Sequence, residues 1–274
     1  MPQKRITRRF KVKYTHRGLY KLNTVTVNTT DVFAKNRLSR QYDSPDSIYV
    51  YPAYSTHAGI IAPFSRVVGE AVRNRNMYED PFEFKGIRDY TGTEPMKKIN
   101  WHASAKTGDL KVNNYYDTTS RHVSIFIDIV NDQLWCNEEA VEECIRIARN
   151  YMERFIKNSV PVYMITNGRD VESGEVIELG NGCGVAFIND TLRKLARIDF
   201  TKKTERFTGY FSGHKAQKDE LSILLSIDLS KDLATDFTNY LNGGSGEWVA
   251  PVNDRTTRLN GYRNINFTYV EVGR

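Results

Sequence analysis

Carboxylates at the ends of apolar runs are the first residues in this chain with chemistry to offer. The run "HVSIFIDIV" reaches Asp128, with Asn131 and Asp132 just beyond, and "LSILLSI" runs into Asp228. If both runs are parallel strands, their ends bring these acids together. Hard cations such as Mg²⁺ take such oxygen ligands. Asp128, Asp132 and Asp228 are therefore the candidate metal ligands. The structural alternative is an ordinary one: strand-end carboxylates are often solvated or face the positive end of a helix. The glycines of "GNGCGVAF" invite a phosphate-loop reading. The stretch lacks the Lys and Ser/Thr of such a loop and the G-x-G-x-x-G spacing, so a hairpin turn at Asn181-Gly182 is the expectation. There is no G-x-S-x-G elbow, and His16, His57, His102, His122 and His214 lack metal-ligand spacing. Cys183 sits among glycines, with no cation or His beside it in sequence to activate the thiol. No catalytic residue can be assigned.

A second concentration of chemistry is "FKGIRDYTGTEPMKKINWHASAKTGDLKV", residues 84–112. It has neither a helical nor a strand period, yet it gathers Gly86, Arg88, Tyr90, Gly92, Trp101, Ser104 and Ala105. The arginine fork can clamp carbonyls or a carboxylate. Trp and Tyr present large apolar bodies with a polar handle. Two uses fit. The segment can lock two domains together, with Trp101 buried between them, or it can hold a ligand or partner.

The elements around these residues divide the chain in three. Residues 1–55 read as strands: Phe10, Val12 and Tyr14 alternate, Val25 and Val27 alternate, and "THRGLY" and "SPDS" supply turns. Residues 56–120 form a long connection holding the 84–112 segment and a short helical stretch around Phe64 to Arg75. From 121 the pattern becomes α/β. The near-continuous apolar run ending at Asp128 suits a strand covered on both faces. Val141, Cys144, Ile145, Ala148, Tyr151, Met152 and Phe155 then recur at helical spacing behind Asn137, Glu138 and Glu139. Pro161 opens "PVYMIT", and a helix follows around Leu192 and Leu195. After "LSILLSI", Ser230 caps a helix carrying Leu233, Phe237 and Leu241, which Gly243-Gly244 ends; "WVAPV" and "INFTYVEV" are late strands. Strand and helix in alternation predict a doubly wound α/β domain over 121–274, with ligands at the carboxyl ends of its strands, where Asp128, Asn131, Asp132, Asn167 and Asp228 stand.

Composition bounds the function classes. Hydrophobic residues make up 40% of the 274, so a packed core is expected. The formal charge of +6 is mild, and much of it lies in "QKRITRRFKVKYTHR". That run could meet phosphates, but Lys and Arg also blunt strand edges, and the charge is not sustained, so nucleic acid is not the expected partner. Three scattered cysteines without a C-x-x-C pair argue against a disulfide framework. No run approaches the ~20 apolar residues of a membrane span.

The 84–112 segment resembles domain-of-unknown-function family 58. That family carries G-x-R-x-Y-x-x-G-D, then I-x-W-x-x-S-A-R, a short turn and L-x-V. Gly86, Arg88, Tyr90, Gly92, Ile99, Trp101, Ser104, Ala105, Leu110 and Val112 stand in those places, with Lys106 for the usual Arg and Glu94 near the place of the lost Asp. Upstream, "HRGLY" is similar to the family's "RRGVY", and Asp31 and Phe33 follow its "DPFGL" loosely. The resemblance implies an all-β module, a partial sandwich, joined to a von Willebrand factor A-like domain. It implies a non-enzymatic interaction or scaffold protein that serves a MoxR-type AAA+ ATPase, anchored by membrane segments that this sequence does not include, with the chain on the cytoplasmic side. The family's adhesion motif D-x-S-x-S is degenerate here: "DIVND" puts Val130 and Asp132 where serines belong. No cofactor is expected beyond a weakly held Mg²⁺ or Mn²⁺. Two other classes stay open on the residues alone: a metal-dependent hydrolase using the strand-end acids, and a nucleic-acid binder using residues 3–17.

Overall fold

A computed structural model describes residues 7, 9, 11–30, 33, 35, 37–57, 65–69, 84–92, 94–115, 122–130, 138–202, 204–217, 220–252, 258–259 and 261–272. Its centre is a seven-stranded, mostly parallel sheet. Six strands follow the order β11 (Ile265–Glu271), β10 (Gly246–Val252), β9 (Leu221–Ser226), β5 (Val123–Asp128), β6 (Val162–Asp170) and β7 (Val176–Gly182). The short β8 (Ile198–Asp199) pairs with the far end of β6. All pairings are parallel except those of β7 and β8 against β6. The chain moves outward from β5 through β6 to β7, then returns to β5's other side as β9. The order therefore reverses at β5, which leaves a crevice between the carboxyl ends of β5 and β9.

The residues of β5 explain its central place. Every position from Val123 to Asp128 is buried, as a strand covered on both faces requires. Ile125 and Ile127 enter one core with α2 (Glu138–Lys157) and Leu195 of α3 (Val185–Ala196). Phe126 enters the other, with α4 (Thr208–Gly213) and α5 (Lys231–Tyr240). That second core is aromatic: Phe207, Tyr210, Phe211, Phe237 and Tyr240 surround the Phe126 ring. The stripe expected on α2, from Val141 to Phe155, is fully buried.

The hairpin expected at Asn181-Gly182 lies elsewhere. Strands β6 and β7 turn at 171–175, where the Asp170 carboxylate accepts from the Glu172 and Ser173 N–H groups. Asn181-Gly182 instead leads from β7 into α3. A Cβ on Gly182 would sit 2.3 Å from the Phe187 ring, and Gly184, with φ of 92°, forms the N-cap. These glycines give packing room and a left-handed step, not a tight hairpin.

The N-terminal strands form a single ribbon, β1 (Gly18–Thr30) antiparallel to β2 (Arg37–Val50), rather than a partial sandwich. The alternation at Val12 and Tyr14 does not become a strand, and Phe10 lies outside the described residues. Arg17 anchors the ribbon's base. Its guanidinium donates to the Glu142 carboxylate at 3.0 Å and to the carbonyls of Leu195 at 2.9 Å and Ile198 at 2.8 Å. It thus serves the C-terminal carbonyls of α3, which have no partner within the helix. Lys21 with Glu172, and Arg193 over the Tyr49 ring, extend the contact.

From β2 the chain runs along α2. Arg149 donates to the Pro52 carbonyl and lies 3.9 Å from the Tyr54 ring centroid, the Tyr54 hydroxyl donates to Glu153 at 2.9 Å, and Asn150 donates to the Ser55 carbonyl. The helical turn at 65–69 buries Val67 and Val68 in the first core, and one guanidinium nitrogen of Arg66 donates to both carboxylate oxygens of the buried Glu247. The remainder of the helical stretch expected to Arg75 lies outside the described residues.

Arg17 is the test of this arrangement. Burial lowers its pKa, and the Glu142 carboxylate opposes that. Removing one partner of such a buried pair costs ~3–5 kcal/mol. Arg17→Ala should lower the melting temperature and speed amide exchange in Gly18–Leu22. Arg17→Lys should rescue little, since an ammonium cannot serve a carboxylate and separate carbonyls in one fork. Unchanged exchange at the base of β1 in Arg17→Ala would show that the ribbon is held by other contacts.

Candidate functional site

The crevice beside β5 is built around Asp128, which the structure buries at 1% exposure. Its Oδ1 accepts from Asn167 Nδ2 at 2.6 Å and from the Val130 N–H at 3.3 Å. Its Oδ2 accepts from the Ser226 hydroxyl at 2.7 Å. The Asn167 amide is fixed in turn, because its oxygen accepts from the Ile129 N–H and its nitrogen also donates to the Glu205 carbonyl. One carboxylate therefore ties the ends of β5, β6 and β9 together, with the 205 loop joined through Asn167. Burial pushes the Asp128 pKa up to about 6, against the lowering effect of Ser226 and Asn167 and with a smaller push from Asp228.

Asp228 comes to the same end of the sheet, two residues past β9. Its carboxylate accepts the N–H and hydroxyl of Ser230, the N-cap of α5. Asp132 lies outside the described residues. Among the described residues, no group of three or more His, Cys, Asp or Glu is placed to hold a metal. The donor chemistry agrees. The Asp128 and Asp228 oxygens all engage N–H or O–H donors, and Val130 offers only a side chain that cannot ligate. As it stands, this crevice is a hydrogen-bond network, and the described residues do not make a cation cage.

The 84–112 segment folds on itself. Strands β3 (Phe84–Asp89) and β4 (Lys111–Tyr115) pair antiparallel, and Ile99 bridges Val112, burying both side chains. Asn100 caps α1 (Trp101–Thr107) by accepting from the Ala103 N–H, and donates to Asn113 across the unit. Ser104 is the inner clasp: its hydroxyl donates to the Asn100 carbonyl and accepts from the Lys111 N–H at 2.8 Å. Gly108, with φ of 81°, ends the helix in the left-handed conformation. Arg88 pairs with Glu94, which also accepts from the Thr91 N–H and hydroxyl. The Thr91 and Arg88 hydrogen bonds bring Glu94 down to about 2. Tyr90 reaches the Glu94 carbonyl at 3.4 Å. Gly92, with φ of 89°, makes the turn. Gly86 is extended, and Ala105 lies on α1.

Trp101 corrects the interdomain-lock expectation. It is 59% exposed, at the first position of a short helix. Met96, Ile87 and Leu110 of the same unit are also exposed. Arg88 satisfies the unit's own Glu94 rather than another element. The residues that position this unit were partly legible: Asn100 before Trp101 is a capping signal, and Ser104 gave none for its clasp role.

A polar cluster that the sequence did not announce lies at the opposite end of the sheet. Glu220 is almost fully enclosed, facing a cleft of about 490 Å³ lined by Ala216, Gln217, Leu241 and Asn242–Ser245. Its carboxylate accepts from the Tyr240 hydroxyl at 2.7 Å, the Gln217 N–H at 2.9 Å and Ser222, with His122 at 3.5 Å. Burial raises its pKa, but the bonds from His122, Ser124, Gln217 and Tyr240 outweigh that and bring it to about 2. Every oxygen is taken, so Glu220 clamps the start of β9 to α5.

The two acids predict opposite pH behaviour. Glu220 is depressed, so its stabilisation is present above about 4.5 and is lost as pH falls toward about 2. Glu220→Gln should therefore cost stability at pH 7, and most of that deficit should be gone near pH 2.5. An equal deficit at both pH values would show that shape rather than charge carries the clamp. Asp128 is raised, so the folded state binds its proton more tightly between about 4 and about 6, and ionisation above that window opposes folding. Asp128→Asn keeps the acceptor for Asn167 and offers Ser226 an N–H. Relative to wild type it should melt higher at pH 7.5 than at pH 4.5, with a difference of up to ~3 kcal/mol. A variant that instead loses ground at pH 7.5 would show that the charge itself is used.

No helix among the described residues is long and apolar enough to cross a membrane. No protein-family model matches the chain, and a search of curated proteins finds no match.

Proposed function

We propose that this chain is a non-enzymatic protein-interaction module. Its α/β body is read as von Willebrand factor A-like, and its 84–115 unit as the partner-facing element, in an adaptor for a MoxR-type AAA+ ATPase at a membrane. The exposure of Trp101 carries the reading. An indole at 59% exposure beside an exposed Met96, on a unit braced internally by Ser104, Asn100 and the Arg88–Glu94 pair, has the composition of an interface anchor. The strand order supports the body assignment: parallel strands wound both ways from β5, with the antiparallel β7 at an edge and the short antiparallel β8 beside it on β6. The satisfied network around Asp128 favours a structural scaffold over the hydrolase alternative.

Trp101→Ala tests the assignment. Because the side chain is exposed, the variant should melt within about 1 °C of wild type, as surface changes usually do. Its affinity for a purified MoxR-type ATPase should fall at least about tenfold, since anchor residues cost 2 kcal/mol or more. Equal binding by the variant, or no binding by the wild type, would overturn the assignment.

A further inference from the structure

The β1–β2 ribbon has a feature that its role as an appendage does not explain. Beyond the Arg17 anchor, the ribbon is exposed on both sides. Its register places Val25 opposite Tyr42, Val27 opposite Arg40 and Thr29 opposite Leu38. Directly opposed residues share a face, so Val25, Val27, Leu38 and Tyr42 form an apolar stripe, interrupted on β2 by Arg40, each apolar side chain roughly half exposed. The other face carries Thr24, Thr26, Asn28, Gln41 and Ser39. A lone two-stranded ribbon is marginal in water, and three or more strands with an apolar face are needed for independent stability.

The two outer edges differ. On β2 the exposed stretch contains Arg37, Arg40, Asp43, Pro45 and Asp46. Charges and proline are the usual devices that keep an edge from pairing. On β1 the stretch Leu22–Thr30, "LNTVTVNTT", has no charge and no proline, and its residues are mostly β-branched. Among the described residues no strand pairs with that edge. One edge is guarded and the other is left competent.

We propose that the free edge of β1 pairs with β1 of a second copy of this chain, antiparallel about a twofold axis, to give a four-stranded sheet β2-β1-β1-β2. The chemistry selects a copy of itself. A strand meeting its own copy sets like residues near like, which an uncharged edge tolerates and a charged one does not. An axis near Thr26 brings Val25 opposite Val27 of the partner subunit, a β-branched cross-strand pair, and joins the two apolar stripes into one face. Over Leu22–Thr30 the seam is about 30 Å long. This surface is separate from the Trp101 unit, so the proposal stands apart from the partner assignment above.

Sedimentation of the full chain from about 1 μM to about 100 μM, a range that spans ordinary weak association, should show a reversible monomer–dimer equilibrium. Val25→Lys with Val27→Lys should weaken it at least about tenfold by setting like charges across the seam. Ser39→Lys, on β2, should leave it unchanged. Circular dichroism and melting check that each variant folds, and both sites are exposed. Thr26→Cys supplies an independent readout: mild oxidation should trap a covalent dimer, while Ser39→Cys should not. A wild type that stays monomeric across the range would overturn the proposal, as would a dimer that survives the double lysine variant or is lost in Ser39→Lys.

Discussion

The constraint on which the α/β body rests is the burial of β5 between parallel neighbours on both sides. A strand so placed has no solvent-facing side, so each residue must be apolar or hydrogen-bonded. Val123 to Ile127 meet this mostly with apolar side chains, split between two cores by alternation. Asp128 meets it by taking bonds from Asn167, Ser226 and the Val130 N–H. The same carboxylate thereby ties the end of β5 to Asn167 of β6 and Ser226 of β9. The shape of the crevice follows from satisfying one buried charge, and the crevice exists because the strand order reverses there.

The other parts are attached by arginines whose partners are mostly backbone carbonyls and buried acids. Arg17 holds the ribbon to the end of α3, Arg149 holds the 52–55 segment to α2, and Arg66 holds the 65–69 turn to Glu247. The planar fork suits this task, since it meets several acceptors with little further loss of side-chain freedom. Such joints are polar and local, whereas the cores on either face of the sheet are apolar and continuous. The body therefore carries the stability, and the attached elements are free to present surfaces.

What was legible in the sequence follows from what repeats. The runs of β5 and β9, the α2 stripe and the Ser230 cap were readable because burial imposes a period or a capping residue. The hairpin at Asn181-Gly182 was misplaced for a physical reason. An Asn-Gly pair after a β-like run is a strong turn signal, yet here Gly182 is required by the Phe187 ring and Gly184 by a left-handed N-cap. Helix α4 was missed because six residues are too short to show a period, although its Phe211 helps build the aromatic core around Phe126. Glu220 was invisible because its partners, His122, Tyr240 and Gln217, meet only after β9 and α5 pack. The crevice was foreseen through Asp128, Asn167 and Asp228 at the strand ends, but not the bond from Asn167 to Asp128 or the clasp at Ser226.

Trp101 shows how residue type and position can disagree. A tryptophan in a glycine-rich segment reads as a packing residue, because its area favours burial. Its position decides otherwise. Asn100 caps the helix from the preceding residue, Ser104 turns the inner side toward β4, and the indole at the first helical position is left on the outside. The unit closes its own polar bonds through Ser104, Asn113 and Glu94, and its own small core through Ile99 and Val112, without using the largest apolar side chain it has. A fold that spends its internal contacts on the small residues leaves the indole, Met96 and Leu110 facing outward, and the proposed partner role rests on that arrangement.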